Sequence, residues 1–394
     1  MKGDGSKKEG YGKRSERFVK RLARRLLAAL SSRHDPSSSL HIDPAAIKKV
    51  IVIRQHNQFG DVLCTVPLLR VLRRKFNLDE LAVVVSPQNI SALAGCTYVT
   101  DLLNYDKLAF YKHPSSFFRF VRKLRRKYDL LIVPSNVSIS LTNDIMAFIA
   151  NANHKLGPGS LDSKANRTSS VYDVAVNLDW ENSLEHQYYR NMKVAEPLGI
   201  TRVDDDGGLE YSVDPATAAE VRSMVERMSR TGVRRVALHA GAGKPPNRWD
   251  VAAFAALSEL LHDRLGADLF ITEGPMDHEV IERLAALLTV PFVRVRNSAI
   301  SFVAAFLRQM DVVVTNDTGI MHLAAAVGTS TLSLFGPTDP LQWAPLGKNH
   351  RFILGRGGDI NTIEVSKVFD SVMKLMKISK DRNGFFLQGE GKTP

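Results

Sequence analysis

The chain has 394 residues, 44% apolar and 24% charged, which is long for one domain and comfortable for two. Its two cysteines, Cys64 and Cys96, lack any CxxC or ligand spacing, so a disulfide framework or zinc site is not expected and the thiols read as reduced. The net charge of +12 is concentrated in two patches: residues 1–40 hold eleven Lys/Arg against four Asp/Glu, and residues 110–128 hold seven Lys/Arg and no acid.

In chain order, SERFVKRLARRLLAALSS comes first. Phe18, Val19, Leu22, Leu26, Leu27 and Leu30 recur there at helical spacing, with Lys20, Arg21, Arg24 and Arg25 mostly on other faces. This is the pattern of a helix lying in a membrane interface, or of one packed on its own domain with solvated arginines. Its apolar stretch LLAAL is too short for an export signal, and no uncharged run approaches the roughly eighteen residues of a membrane span. The expected location is cytoplasmic, with peripheral contact to a membrane surface if this helix lies in the interface. Residues 1–10 and 31–45 are polar and read as a disordered lead and linker.

The folded body is expected from Lys48, with KKVIVIR as a buried strand, QHNQFGD as a polar turn and VLCTVPLLRVLRRKF as a helix that Pro67 kinks. LAVVVS and YDLLIVPS follow as strands, and NDIMAFIANANH as a helix. After the acidic linker VDDDGGLEYSVDP a second series begins: VRRVALHAG, a helix over Val251–Leu265, ADLFITEG, a helix near Glu279–Leu288, DVVVTN, a helix holding His322, and TLSLFGP. Short β-branched runs alternating with helices predict parallel βαβ units, hence an α/β chain of two Rossmann-like doubly wound domains facing across a cleft. The expected division is an extension over 1–45, a first domain over 46–205, a second over 206–362, and a C-terminal helix and tail over 363–394.

Ligands of open parallel sheets sit beyond the carboxyl ends of the strands, where helix N-termini point N–H groups outward. Three corners carry suitable chemistry. In IRQHNQFGDVLCTVP, Gly60 permits a tight turn and Asp61 stands at a helix start, either as an N-cap or as a carboxylate base. LHAGAGKPPNRWD offers Gly241, Lys244 and Arg248 to a phosphate, or is an ordinary βα loop; it matches neither the P-loop nor the dinucleotide fingerprint. In NDTGIMHLAAAVG, Thr318 and Gly319 suit an anion at the helix start, Asp317 caps the helix and fixes the loop, and His322 one turn along is either a donor to a diphosphate or a structural histidine.

GDVLCTVPLLRVLRRKF, GAGKPPNRW and NDTGIMHLAAAVGTSTLSLFGPTDPLQWAPLG, in that order, resemble the bacterial heptosyltransferase family, glycosyltransferase family 9, over roughly residues 48–360. The resemblance implies a GT-B fold and a nucleotide-activated sugar donor, usually ADP-heptose. It further implies an acceptor in the lipopolysaccharide core, with no cofactor or metal. It also implies Asp61 as catalytic base, with Asp317, Thr318, Gly319 and His322 around the donor diphosphate. His56, Asn57, Gln58 and Gly60 fall on the acceptor side. The family often has a lysine where this chain has Asn247, so either Lys244 or Arg248 supplies that cation or donor binding is altered.

The expected reaction is an inverting transfer, in which a base takes the acceptor hydroxyl's proton as the oxygen attacks the anomeric carbon. Asp204-Asp205-Asp206 reads as solvated linker rather than a metal motif. The partners expected are the nucleotide sugar and an anionic lipid-linked glycan, the latter giving the basic 110–128 segment a role. Two rivals stand beside this reading: a nucleotide-sugar epimerase or hydrolase of GT-B type, and a membrane-associated nucleic-acid binder.

Overall fold

The computed structural model describes residues 18, 20–31, 42–55, 58–135, 137–180, 185–205, 207–296 and 299–385. The lead over 1–10 and most of the linker over 31–45 lie outside the described residues. The chain forms two compact units. One comprises residues up to 57 with 67–90 and 98–206; the other comprises 58–66, 91–97 and 207 onward.

The first unit is built on strands β1 (Lys49–Ile53), β2 (Glu80–Val85), β3 (Asp101–Asn104), β4 (Tyr128–Ile132), β5 (Ala152–Leu161), β6 (Lys164–Ala165) and β7 (Val174–Leu178). Their order is β3-β2-β1-β4-β5, with β7 parallel to β5 and the short β6 antiparallel to it. VIVI of β1 and LAVVV of β2 are buried throughout, as strands covered on both faces must be. The helix expected after the Gly60 corner is broken in two, Phe59–Leu63 and Val66–Lys75. Pro67 explains the break: it has no N–H to give, and its ring would clash with the carbonyl of Leu63. The helix expected in NDIMAFIANANH runs Leu141–Ile149, starting two residues earlier; the last residues of that stretch enter β5.

Around β5 the packing is specific. A Cβ on Gly157 would lie 2.3 Å from the ring of Tyr172, so only glycine lets that ring sit there. The Tyr172 hydroxyl donates to buried Asp144 at 2.5 Å, and the Thr168 hydroxyl donates to its other oxygen at 2.6 Å. Burial raises the Asp144 carboxyl above its usual range, and these hydrogen bonds pull it back. Asp205, expected in solvent, is instead buried and paired with Arg70 at 3.0 Å, while Asp204 closes a capping box with Thr201; Asp206 lies outside the described residues. A carboxylate so buried needs a partner, and Arg70 supplies it.

The N-terminal helix spans residues 20–31 within this unit. Leu27 is buried in the core that also holds Phe120, Leu124 and Tyr172, and the Ser31 hydroxyl lies 2.6 Å from that of Ser170. Phe18, Leu22, Leu26 and Leu30 remain exposed. The reading of a helix packed on its own domain therefore holds for the face that carries Leu27. The basic 110–128 segment forms helices Lys107–Lys112 and Pro114–Leu124, which leave Leu108, Tyr111 and Phe118 exposed among the cations.

The second unit carries β8 (Arg235–His239), β9 (Asp268–Glu273), β10 (Val293–Arg296), β11 (Val312–Asn316), β12 (Ser330–Phe335) and β13 (His350–Leu354), all parallel, in the order β10-β9-β8-β11-β12-β13. The order reverses between β8 and β11, which is where a doubly wound sheet opens a crevice for ligand. Helix Val251–Leu265 and the C-terminal helix Val365–Phe385 share one core, in which Trp249, Phe254, Val368 and Leu375 are buried.

Candidate active site

The loops after β8 and β11 meet at this crevice, and Asn316 ties them together. Its side-chain amide donates to the carbonyl of Ala240 at 2.9 Å, and its oxygen accepts from the Trp249 N–H at 3.2 Å. The Trp249 indole N–H in turn donates to the carbonyl of Ile363 at 3.1 Å. The glycine- and proline-rich loop over 240–250 is thus held at both ends. Within it, the Arg248 Nε donates to the carbonyl of Ala242 at 2.8 Å, so this guanidinium braces its own loop. Lys244 is exposed at the loop's tip.

Asp317 does not cap the following helix. Thr318 occupies the N-cap position of Gly319–Ala326, in extended conformation and without a side-chain cap hydrogen bond. The Asp317 carboxylate accepts instead from the Asn247 side chain at 3.1 Å. Burial raises its pKa, opposed by a hydrogen bond from Thr338 and the charge of Lys244. The position where the family often has a lysine therefore holds an amide that locks Asp317 to the loop.

Gln58, Gly60 and Asp61 belong to the same compact unit as these corners; His56 and Asn57 lie outside the described residues. Asp61 is not an N-cap either. It is the third residue of helix Phe59–Leu63, is 2% exposed, and the N-cap is Gln58. The short helix lies on helix Gly319–Ala326. A Cβ on Gly60 would come within 2.6 Å of the His322 ring, and one on Gly319 within 3.3 Å of Phe59. Gly60 is therefore needed for close approach rather than for a turn. His322 is 3% exposed, with its Nδ1 3.8 Å from the Cys64 sulfur. Gly60→Ala must displace the His322 ring or push these helices apart, and overpacking of this kind costs about 1–3 kcal/mol. A denaturant midpoint that falls accordingly is the expected result; an unchanged midpoint would show that the contact is not as tight as 2.6 Å implies.

The family model described as glycosyltransferase family 9 (heptosyltransferase) matches residues 117–371. The chain belongs to glycosyltransferase family 9. Among curated relatives it is similar to "Lipopolysaccharide heptosyltransferase 3" of Escherichia coli, 25% identical over 297 residues that cover 74% of this chain and 84% of that protein. Among solved structures it is similar to a family 9 glycosyl transferase of Veillonella parvula, with TM-score 0.75 and 18% identity over 87% of this chain and all of that one. It is likewise similar to the E. coli ADP-heptose lps heptosyltransferase II, with TM-score 0.68 and 20% identity, covering 84% and 99%. These likenesses show the GT-B fold. Family membership makes the chain a glycosyltransferase, and neither the epimerase or hydrolase reading nor the nucleic-acid reading is retained.

One part of the corner after β8 in this family 9 enzyme escaped the sequence reading. A Cβ on Gly241 would meet the Asp277 carboxylate at 2.2 Å, and that carboxylate accepts from the Gly274 N–H at 3.0 Å. His239 lies 3.9 Å from the same carboxylate and 3.0 Å from the Thr272 hydroxyl. Burial lowers the pKa of His239, with Asp277 pulling the other way. The one available signal was positional: Gly274 to Asp277 follow β9, the strand beside β8, at the same carboxyl edge.

Proposed function

We propose that this enzyme transfers a heptose from ADP-heptose to a sugar of a lipopolysaccharide core, with inversion at the anomeric carbon. The similar E. coli proteins are named for that donor and that glycan. The observation that carries the reading is the seat of Asp61. Its helix is fixed, through Gly60, against the helix whose N-terminus and His322 are the donor-side candidates.

In this reading Asp61 takes the proton from the acceptor hydroxyl, the oxygen bonds to the anomeric carbon, and the bond to the diphosphate breaks. ADP leaves carrying the displaced electron pair. Its charge is met by the first N–H groups of helix Gly319–Ala326, by the Thr318 hydroxyl and by Lys244, so the reading calls on no metal or cofactor. His322 belongs to this donor set because helical side chains lean toward the helix start; it also seats Gly60. Gly241 and Arg248 shape the loop. Residues 206–362 are assigned to the donor, and residues 46–205, with His56, Asn57, Gln58 and Gly60 at their edge, to the acceptor. Hydrogen exchange with and without ADP tests the donor assignment. Slowing is expected over 240–250 and 316–326, and protection confined to 67–104 would contradict it.

Among the described residues no helix is long and apolar enough to cross a membrane. Phe18, Leu22, Leu26 and Leu30 nevertheless form an exposed row four residues apart, beside Lys20, Arg21, Arg24 and Arg25. We infer peripheral attachment to the cytoplasmic face of the inner membrane, where a lipid-linked acceptor resides. Replacing Leu22, Leu26 and Leu30 with Gln is expected to release the enzyme from anionic vesicles and to leave transfer to a deacylated acceptor intact. Deleting the helix is a poorer test, because it would also uncover the core around Leu27. Vesicle binding that survives the triple substitution would contradict this attachment.

A further inference from the structure

The first unit holds a cluster of cations that the transfer reaction does not use. Helix 20–31 and the segment after β6 enclose two hollows. One, of 470 Å³, is lined by Lys20, Arg21, Arg24, Arg25, Ala28 and Arg167, so five of its six lining residues are cationic. The other, of 420 Å³, shares Arg24 and Arg167 with the first and adds Lys164. Arg24 and Arg167 therefore stand between the two spaces, one from the N-terminal helix and one from the turn that Thr168 anchors to Asp144.

Asp144 and Asp162 also line the second hollow, and the charge of Arg24 acts on Asp144, whereas the first hollow has no acid in its lining. Asp144 accepts from Tyr172 and Thr168, and Asp162 accepts from the Trp180 N–H at 2.7 Å. Among the described residues no ion pair joins Arg21, Arg24, Arg25 or Arg167 to an acid. Like charges brought together in this way repel one another, and an anion of matching charge relieves the repulsion. Guanidinium groups favour phosphate, whose oxygens fit their paired N–H donors. A phosphomonoester carries about 1.5 to 2 negative charges at neutral pH, roughly twice a diester, and suits several converging cations better. The exposed row Phe18, Leu22, Leu26 and Leu30 on the same helix places this cluster beside an apolar boundary.

We propose that Arg24 and Arg167, supported by Lys164 and the cations of helix 20–31, form a discrete phosphomonoester site that takes the phosphate of a lipid headgroup. The site goes beyond the transfer reaction and rests only on the reading of the N-terminal helix as a membrane element. It differs from diffuse attraction to a charged surface, because it distinguishes a phosphomonoester from a diester at equal charge density. It also joins the helix to the body of the unit through the ligand.

The test uses the full chain, vesicles containing phosphatidate or phosphatidylglycerol at matched surface charge, and soluble glycerol 3-phosphate. The wild type is expected to bind phosphatidate vesicles at least about tenfold more tightly than phosphatidylglycerol vesicles, a preference worth about 1.4 kcal/mol. Arg24→Gln with Arg167→Gln is expected to remove that preference. Lys164→Gln, an exposed single change, is expected to weaken it in part, which keeps the test decisive should the double variant fold poorly. Arg227→Gln with Arg264→Gln, an equal charge change on exposed residues of the other unit, is expected to leave it unchanged. Binding of glycerol 3-phosphate that the double variant loses, together with the phosphatidate preference, supports the site; glycerol 3-phosphate bound with neither vesicle bound would overturn the assignment to a lipid headgroup. Equal binding to both vesicles, an unaltered preference in the Arg24/Arg167 and Lys164 variants, or displacement of the vesicles only by an oligonucleotide would overturn the proposal.

Discussion

Asp61→Asn is expected to lower turnover by about a hundred- to ten-thousandfold, the usual worth of general-base catalysis, while leaving melting and ADP affinity almost unchanged. Asparagine keeps the shape of the side chain, and the position is the third residue of its helix rather than the cap, so no capping hydrogen bond is at stake. What the substitution removes is the ability to accept a proton at a buried site that Gly60 holds against His322. Steady-state kinetics, melting and ADP titration on one preparation give the answer. Near-normal turnover in a folded Asp61→Asn enzyme would take Asp61 out of the mechanism.

Lys244→Ala carries the second large effect. Of the two cations that the loop offers, Arg248 already donates to the carbonyl of Ala242, whereas Lys244 is exposed and acts on Asp317 through its charge. Removing one preorganised group from a departing charge costs about a hundred- to a thousandfold in kcat. That loss, with weaker ADP binding and an unchanged melting point, is expected for Lys244→Ala. The opposite pattern would move the role to Arg248: normal turnover for Lys244→Ala and abolished turnover in a folded Arg248→Ala enzyme.

Much of the fold was legible because a parallel sheet buries its strands on both faces. KVIVI and DVVVTN are uninterrupted β-branched runs, and such runs have few other uses. Pro67 announced the break before helix Val66–Lys75 for an equally local reason. β5 was not legible, since ANHKLGPGSL has poor strand propensity. Its glycine at 157 is explained by Tyr172, fifteen positions further on. The same limit applies to polar pairs. Nothing near Asp205 announces Arg70, and nothing near Gly241 announces Asp277.

The site was readable as far as its residue types and strand-end positions reach. Gly60, Asp61, Thr318, Gly319 and His322 were all singled out as candidates from the corners they occupy. Their mutual geometry was not, because the packing of helix Phe59–Leu63 on helix Gly319–Ala326 is a contact between segments far apart in the chain. The N-terminal helix shows a related limit. A periodic apolar row does not say which leucine is buried, and here it is Leu27 alone of the four at positions 22, 26, 27 and 30.

The most direct measurement is transfer itself: purified full-length enzyme with ADP-heptose and a deacylated lipopolysaccharide core acceptor, followed by mass spectrometry and by NMR of the new anomeric centre. The account predicts an acceptor one heptose heavier, ADP released in equal amount, and a glycosidic bond of configuration opposite to the donor's. Donor consumed to ADP and free heptose with the acceptor unchanged, or a product retaining the donor's configuration, would contradict it.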